Sequence, residues 1–347
     1  MNRIKLDEMF EKTGVEVLIS EAPQTRLWYA DVQTSDGFIA IEKDKATLFV
    51  DGRYIEYAQN NAKNVDIVLI KGNSLAEWFK NKGFKKIALE KNYLTKEVEN
   101  RIVKMVNPEH IEWVDAQALR VLKSEKEIET LQKAIDISLT ALAEFKEWVK
   151  PGITEKEAGA WLNYLMKKHG AEKEGFDEII ATAASSAEPH HHTTDKKLVA
   201  GSLLKVDFGA QYHGYTADIT RTFILGDEKD ADPKMLEILN IVKEAAAEGR
   251  KIVRPGIKAS EVDKACRDYI KAKGYGEYFV HSTGHGLGID VHEWPSISPM
   301  SEWVLEPGMV LTVEPGIYIE GFGGARIEDD VLVTEDGHIV LSRRNEK

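Results

Sequence analysis

Short apolar runs alternate with amphipathic stretches over the first third of the chain. Glu16-Val17-Leu18-Ile19-Ser20 and Ala46-Thr47-Leu48-Phe49-Val50 read as strands, and the segments around 74–81 and 95–105 read as helices. This pattern predicts a small α/β domain. At Ser124-Glu125-Lys126-Glu127 the chain carries a capping box, in which the serine and the glutamate three positions on each satisfy a free amide of a first helical turn. Behind it Ile128, Leu131, Ile135, Leu139 and Leu142 recur at three- and four-residue spacing, so a long amphipathic helix starts near 124. The domains are therefore expected at about 1–120 and 121–347, in an α+β chain whose second domain is the larger.

That second domain carries an internal repeat. Val149-Lys150-Pro151-Gly152-Ile153 leads into a helix with Glu157 that ends near Gly170, and Val253-Arg254-Pro255-Gly256-Ile257 leads into a helix with Glu261 that ends near Gly274, an offset of 104 residues. Each copy is followed by an apparent β-hairpin bearing acids. In the first, 203–210 and 215–223 are joined around Tyr212-His213-Gly214, and symmetric pairing brings Asp207 opposite Asp218. In the second, 309–314 and 325–332 are joined through a loop containing Gly321, Gly323 and Gly324, and pairing about Gly321 brings Glu314 opposite Glu328. A bulge in either turn would change this register.

Directly opposed carboxylates repel, so four of them gathered by two packed hairpins call for positive charge between them. His285, in His281-Ser282-Thr283-Gly284-His285-Gly286-Leu287-Gly288, lies among small residues that let a loop approach a site closely, and imidazole is a common metal ligand. Four carboxylates match the charge of two divalent cations. Such a pair can share a water, lower its pKa and polarise a carbonyl, which is hydrolytic machinery. Oxygen-rich ligation favours manganese, with cobalt, zinc or iron as alternatives. The competing reading is that the acids are solvated or paired with Lys205, Arg221 and Arg326.

Composition narrows the classes. With 43% hydrophobic and 30% charged residues and no long apolar stretch, the chain reads as a globular protein without a membrane span. The amino terminus shows no secretory signal, and the single cysteine, Cys266, agrees with a reducing, cytoplasmic location and reads as a helix-packing residue. A net charge of −12 without a basic cluster argues against nucleic acid as a partner.

Val206-Asp207-Phe208-Gly209-Ala210, Tyr215–Phe223 with Asp218, His281–Gly286, Val291-His292-Glu293, Thr312–Tyr318 and Arg326-Ile327-Glu328-Asp329 together resemble the pita-bread metallopeptidases, specifically those of the aminopeptidase P and prolidase type. The likeness extends to the first domain through Thr25–Tyr29 and Phe49–Tyr54. It implies a small creatinase-like N-terminal domain ahead of a pita-bread catalytic domain. It also implies two metals held by Asp207, Asp218, His285, Glu314 and Glu328, with Asp218 and Glu328 bridging. By the same likeness Glu314 shuttles the proton, His292 stabilises the tetrahedral intermediate and His281 contacts the leaving-group side of the peptide. His190 lines the substrate pocket, while Tyr318 and Arg326 support the site.

The implied substrates are short proline-containing peptides and the implied assembly is a homodimer. The reaction expected is release of the residue before proline, with Xaa-Pro dipeptidase as the alternative. A methionine aminopeptidase normally lacks the first domain, creatinase works without metal, and an inactive pita-bread binding protein would have lost ligands that are complete here. The stretch Ala181–Glu188 departs from the glycine- and asparagine-containing segment usual in the family.

Overall fold

The computed structural model describes residues 1–343, which form two compact units, one from Met1 to Leu122 and one beginning at Lys123. In the first unit a six-stranded sheet has the order Asp66–Leu69, Ala46–Val50, Phe38–Ile41, Val17–Ser20, Lys86–Glu90, His110–Val114. Phe38–Ile41 runs antiparallel to both its neighbours and the other three pairings are parallel. The helices expected in this region are Ser74–Lys82 and Lys96–Val106, the latter capped by Thr95, whose hydroxyl accepts from Val98 N–H at 3.3 Å. Val17, Ile19, Phe49, Phe79, Leu89 and Ile102 share one buried cluster. Truncating Phe79 to alanine would cost about 3–5 kcal/mol, through lost burial and the void left behind.

The second unit begins with the Glu125–Trp148 helix, and its capping box is present: Ser124 N–H donates to Glu127 Oε2 at 2.9 Å. The same glutamate accepts from the Tyr215 hydroxyl at 3.0 Å, so the cap also docks the helix on a hairpin. Leu131, Ile135, Leu142 and Phe145 are buried along one face, with Ile128 and Leu139 half-buried at its margin.

The repeat is visible in backbone hydrogen bonds. Gly152 N–H bonds Leu198 O and Leu198 N–H bonds Ile153 O, and in the second copy Gly256 N–H bonds Leu305 O and Leu305 N–H bonds Ile257 O. Both glycines sit at positive φ, 92° and 85°, where a Cβ would be strained. Glu155–Lys168 and Ala259–Ala272 follow as matching helices, with Glu157 and Glu261 accepting from the backbone N–H of Thr154 and Lys258. The second of these packs tightly on the Pro233–Ile252 helix at Gly249, where an added Cβ would stand 2.3 Å from Cys266 Sγ. Burial pushes the Cys266 thiol up to about 12, in keeping with a packing role.

Each copy then forms a hairpin. Leu203–Phe208 pairs with Ile219–Ile224 and Ala210–Tyr212 with Tyr215–Thr216; Val310–Val313 pairs with Asp329–Val333 and Gly316–Ile319 with Gly323–Arg326. The second connection is shorter than expected, because Gly323 and Gly324 belong to a strand and only 320–322 turn.

Candidate metal centre

Both hairpins break their ladder where an acid stands. In the second, Val313 faces Asp329 and Gly316 faces Arg326, and one continuous register across the gap sets Glu314 against Glu328, the pairing expected from symmetry. In the first, the expected pairing of Asp207 with Asp218 is replaced by Asp207 opposite Thr220. The reason is a tight two-residue turn, His213-Gly214, with both residues at positive φ, 47° and 75°, which moves the partner two places along. A shift of two preserves the face, and Asp218 becomes a diagonal neighbour. The break itself rests on Gly209, where a Cβ would lie 1.6 Å from Ala217 O.

The hairpins are sewn together by the threonines between the acids. Thr220 O accepts from Glu328 N–H at 3.1 Å, Thr220 Oγ1 donates to Glu328 Oε2 at 2.6 Å, and Thr222 Oγ1 donates to Arg326 O at 2.8 Å. His285 arrives on the Gly284–Gly286 strand. Cβ atoms on its flanking glycines would stand 2.1 Å from Thr312 O and 1.9 Å from Trp294 O, so only glycine lets this strand fit between its neighbours. His285 N–H donates to Thr312 Oγ1 at 3.1 Å, and ring Nδ1 lies 3.1 Å from Gly286 O. A carbonyl only accepts, so Nδ1 carries a proton. Nε2 then faces Asp218 Oδ2 at 3.5 Å and Glu314 Oε1 at 3.3 Å.

Asp218, His285 and Glu328 each offer a ligand atom within 4.8 Å of the others. Asp207 and Arg326 form a buried ion pair, yet Asp207 Oδ1 is buried without any hydrogen-bond partner. Glu314 Oε2 lies 3.8 Å from Arg326 Nε. Burial, then the charge of Glu328 and Asp207, raises the Asp218 pKa well above the carboxylate range, and burial with Glu314 and Asp207 does the same to Glu328. Burial would also raise Glu314, but the hydrogen bond and charge of His285 and the Arg326 charge prevail and hold it at about 2. An orphaned carboxylate oxygen, mutually repelling buried acids and an imidazole facing two of them fit a site for divalent cations.

Of the remaining residues singled out, His281 Nε2 meets the Tyr318 hydroxyl at 2.8 Å, and burial lowers its pKa. The His292 ring is 4.4 Å from that of His285; burial and the nearby His285 charge lower its pKa as well. Tyr318, raised by burial to about 12, stays a neutral phenol and accepts from Arg326 Nη1 at 3.0 Å. His190 is exposed, but its charge would reach both His281 and His292. The histidine run is not one solvated tract, since His191 is buried between Glu155 Oε2 at 2.8 Å and Glu188 Oε2 at 2.6 Å. The arginine-pairing alternative is realised in part: Arg326 pairs with Asp207, but Arg221 pairs with Asp329, and Lys205 donates to the Glu188 and Pro189 carbonyls.

Three participants went unread in the sequence. Thr220 and Thr312 support ligand candidates, and Asp330 is fully buried, accepting from Asp218 N–H at 3.4 Å. Their only signal was an even spacing from the acids along the predicted strands, with Thr220 and Thr312 inside the quoted motifs and Asp330 one residue beyond.

Comparison with known proteins agrees with this architecture. The pattern of metallopeptidase family M24 matches residues 129–335. A Xaa-Pro dipeptidase of Pyrococcus horikoshii is 39% identical over 343 residues, covering 98% of this chain and 96% of its own. Among solved structures, a Xaa-Pro dipeptidase from Bacillus anthracis has a TM-score of 0.92 at 36% identity, covering 99% of this chain and 97% of its own. An X-Pro aminopeptidase from Thermotoga maritima has a TM-score of 0.90 at 34% identity, covering 97% of each chain. The fold is the pita-bread fold preceded by a smaller domain. On the family pattern, and on relatives alike along nearly the whole length, the chain belongs to metallopeptidase family M24.

Proposed function

We propose that this metallopeptidase releases the N-terminal residue from short peptides whose second residue is proline. Two divalent cations, manganese foremost, would be held by Asp207, Asp218, His285, Glu314 and Glu328. The observation that carries the reading is the convergence of Asp218, His285 and Glu328 within 4.8 Å, with Glu314 beside them and a partnerless oxygen on Asp207. When bound, the cations supply Lewis acidity, polarising the scissile carbonyl and making a water acidic enough to lose a proton near neutral pH.

The protein's own groups do the rest. Glu314, a carboxylate at neutral pH, takes the proton from the attacking water and returns it to the departing proline nitrogen. His292, exposed at the site and beside His285, faces the oxygen on which negative charge builds. His281, oriented by Ser282 O and the Tyr318 hydroxyl, contacts the peptide on the leaving side, and His190 lines the outer wall. Arg326 orients Asp207 and Tyr318. Proline's ring and missing amide hydrogen would help select the residue after the cut.

One feature supports release from longer peptides over a strict dipeptidase. Two cationic side chains beside Asp207, Arg326 and Lys205, are buried and take protein oxygens as partners, so neither is offered to the free carboxylate of a dipeptide. The names of the dipeptidase relatives favour the second reading, an Xaa-Pro dipeptidase. Assays of Xaa-Pro against Xaa-Pro-Xaa peptides with added manganese decide between them, and exclusive cleavage of the dipeptide overturns the aminopeptidase. The family resemblance further suggests a cytoplasmic homodimer, which light scattering on the purified protein tests for assembly.

A further inference from the structure

One buried acid outside the metal cluster, Asp263, has no part in the scheme above. Asp263, on the Ala259–Ala272 helix, is 1% exposed, and both of its oxygens are engaged by Arg267 one turn on, at 2.8 Å each. Asp263 Oδ1 also accepts from Thr283 N–H at 3.1 Å and from Thr283 Oγ1 at 3.0 Å. Arg267 in turn donates from Nη2 to His281 O at 2.8 Å and from Nη1 to Phe279 O at 3.1 Å, and its guanidinium lies 4.2 Å from the centre of the Phe279 ring.

One ion pair thus grips residues 279, 281 and 283 in succession. These residues lie in no helix or strand, so no ladder supplies the carbonyls of Phe279 and His281 with partners. Between them Val280 is 66% exposed, so the segment rests on the helix by one side only. The grip is passed on to the chemistry at two points. The His281 ring stands edge-on to Phe279 and bonds the Tyr318 hydroxyl, and Thr283 O accepts from Glu314 N–H at 2.7 Å.

We propose that Asp263 and Arg267 are positioning residues for the reaction, setting where His281 stands in the cleft without touching substrate. This rests on the role given to His281 under Proposed function. Arg267 opens at its outer edge on a surface cavity of about 290 Å³, so shortening it leaves room for water and need not collapse the fold.

The test uses the whole chain with Arg267→Met and Arg267→Lys, each alone and with His281→Ala. Arg267→Met lowers kcat/KM on an Xaa-Pro-Xaa peptide by about 10- to 100-fold with metal stoichiometry unchanged, the range seen when an outer hydrogen-bond partner is lost, and Arg267→Lys restores part of it. Arg267 bonds the His281 carbonyl while Thr283 is held by Asp263, so the effect of Arg267 passes through His281, and the same change made on His281→Ala alters kcat/KM by no more than about threefold. In the metal-free protein labelled with ¹⁵N-histidine, Arg267→Met displaces the His281 ring signals. Unchanged ring signals, or losses that multiply fully in the double variant, overturn the clamp. Parent-like turnover of His281→Ala withdraws His281 from the reaction and the proposal with it. Failure of the parent to cleave any proline peptide sinks the functional reading instead, and leaves the ring signals to decide the clamp.

Discussion

Asp329→Asn probes how the strand that follows Glu328 is held from behind. The Asp329 carboxylate is fully buried and meets three guanidiniums: Arg221 Nη2 on Oδ1 at 2.9 Å, with Arg250 Nη1 at 2.7 Å and Arg343 Nε at 2.8 Å on Oδ2. Ser342 Oγ adds a fourth bond to Oδ1 at 2.8 Å. Burial alone would raise its pKa, but the three arginines outweigh it and hold it below the ordinary range. The asparagine keeps the shape yet places an NH₂ where Arg250 and Arg343 need an acceptor. Breaking a buried pair from one side costs about 3–5 kcal/mol, because the remaining charge keeps its desolvation. The Arg343 side chain is 29% exposed and regains water, so the low end, about 3 kcal/mol, applies.

At about 2–4 °C per kcal/mol for a domain of this size, the melting temperature falls by about 6–12 °C. Thermal and urea unfolding of both proteins at neutral pH measure the gap. A folded pKa below the unfolded value of about 3.9 stabilises fully above that value and fades as pH falls through the folded one. The gap between parent and variant is therefore widest near neutrality and narrows in acid. A neutral-pH difference under about 1 kcal/mol, the size of an ordinary substitution, or a gap that widens on acidification, refutes the reasoning.

Other outcomes follow from the same geometry. Glu314→Gln folds but loses turnover by about 100-fold or more, the range of a general base's contribution; near-normal kcat on an Xaa-Pro-Xaa peptide removes its role. Asp218→Ala loses metal from the centre as a whole, read as stoichiometry by mass spectrometry or atomic absorption, and parent-like stoichiometry means that it does not serve both ions. In chelated protein, Asp218 and Glu328 hold protons in the folded state at pH values where the unfolded chain has lost them, since both pKa values are raised. Unfolding stability of the chelated form therefore falls as pH rises from about 4 through that window, and a flat profile contradicts this. Gly284→Ala drives a Cβ to 2.1 Å from Thr312 O, so soluble yield and melting temperature both drop; a parent-like melt would show that the strands can part there.

Much of the fold was legible because its signals are local. The capping box at Ser124, the Pro-Gly repeat and the register around Gly321 each depend on a few neighbouring residues, and each stands where the pattern placed it. The first hairpin differed because His213-Gly214 adopts a left-handed two-residue turn, and a histidine there gives no sign of its positive φ. The partners of Arg221, Lys205 and His191 were illegible for another reason. Arg221 reaches Asp329 across 108 positions and His191 reaches Glu155 across 36, and spacing carries no information about such meetings. Lys205 read as a counter-ion for the acids; the chain turns two carbonyls toward it, which no side-chain pattern records.

The twin backbone anchors, Gly152 with Leu198 and Gly256 with Leu305, give the two halves of the second unit the same local architecture. Asp207 and Asp218 belong to one, and His285, Glu314 and Glu328 to the other. Neither half carries the whole candidate set, so an isolated half could build such a centre only by pairing with a second copy. Joining the halves in one chain frees them from that symmetry, which lets one side bring an imidazole that the other lacks.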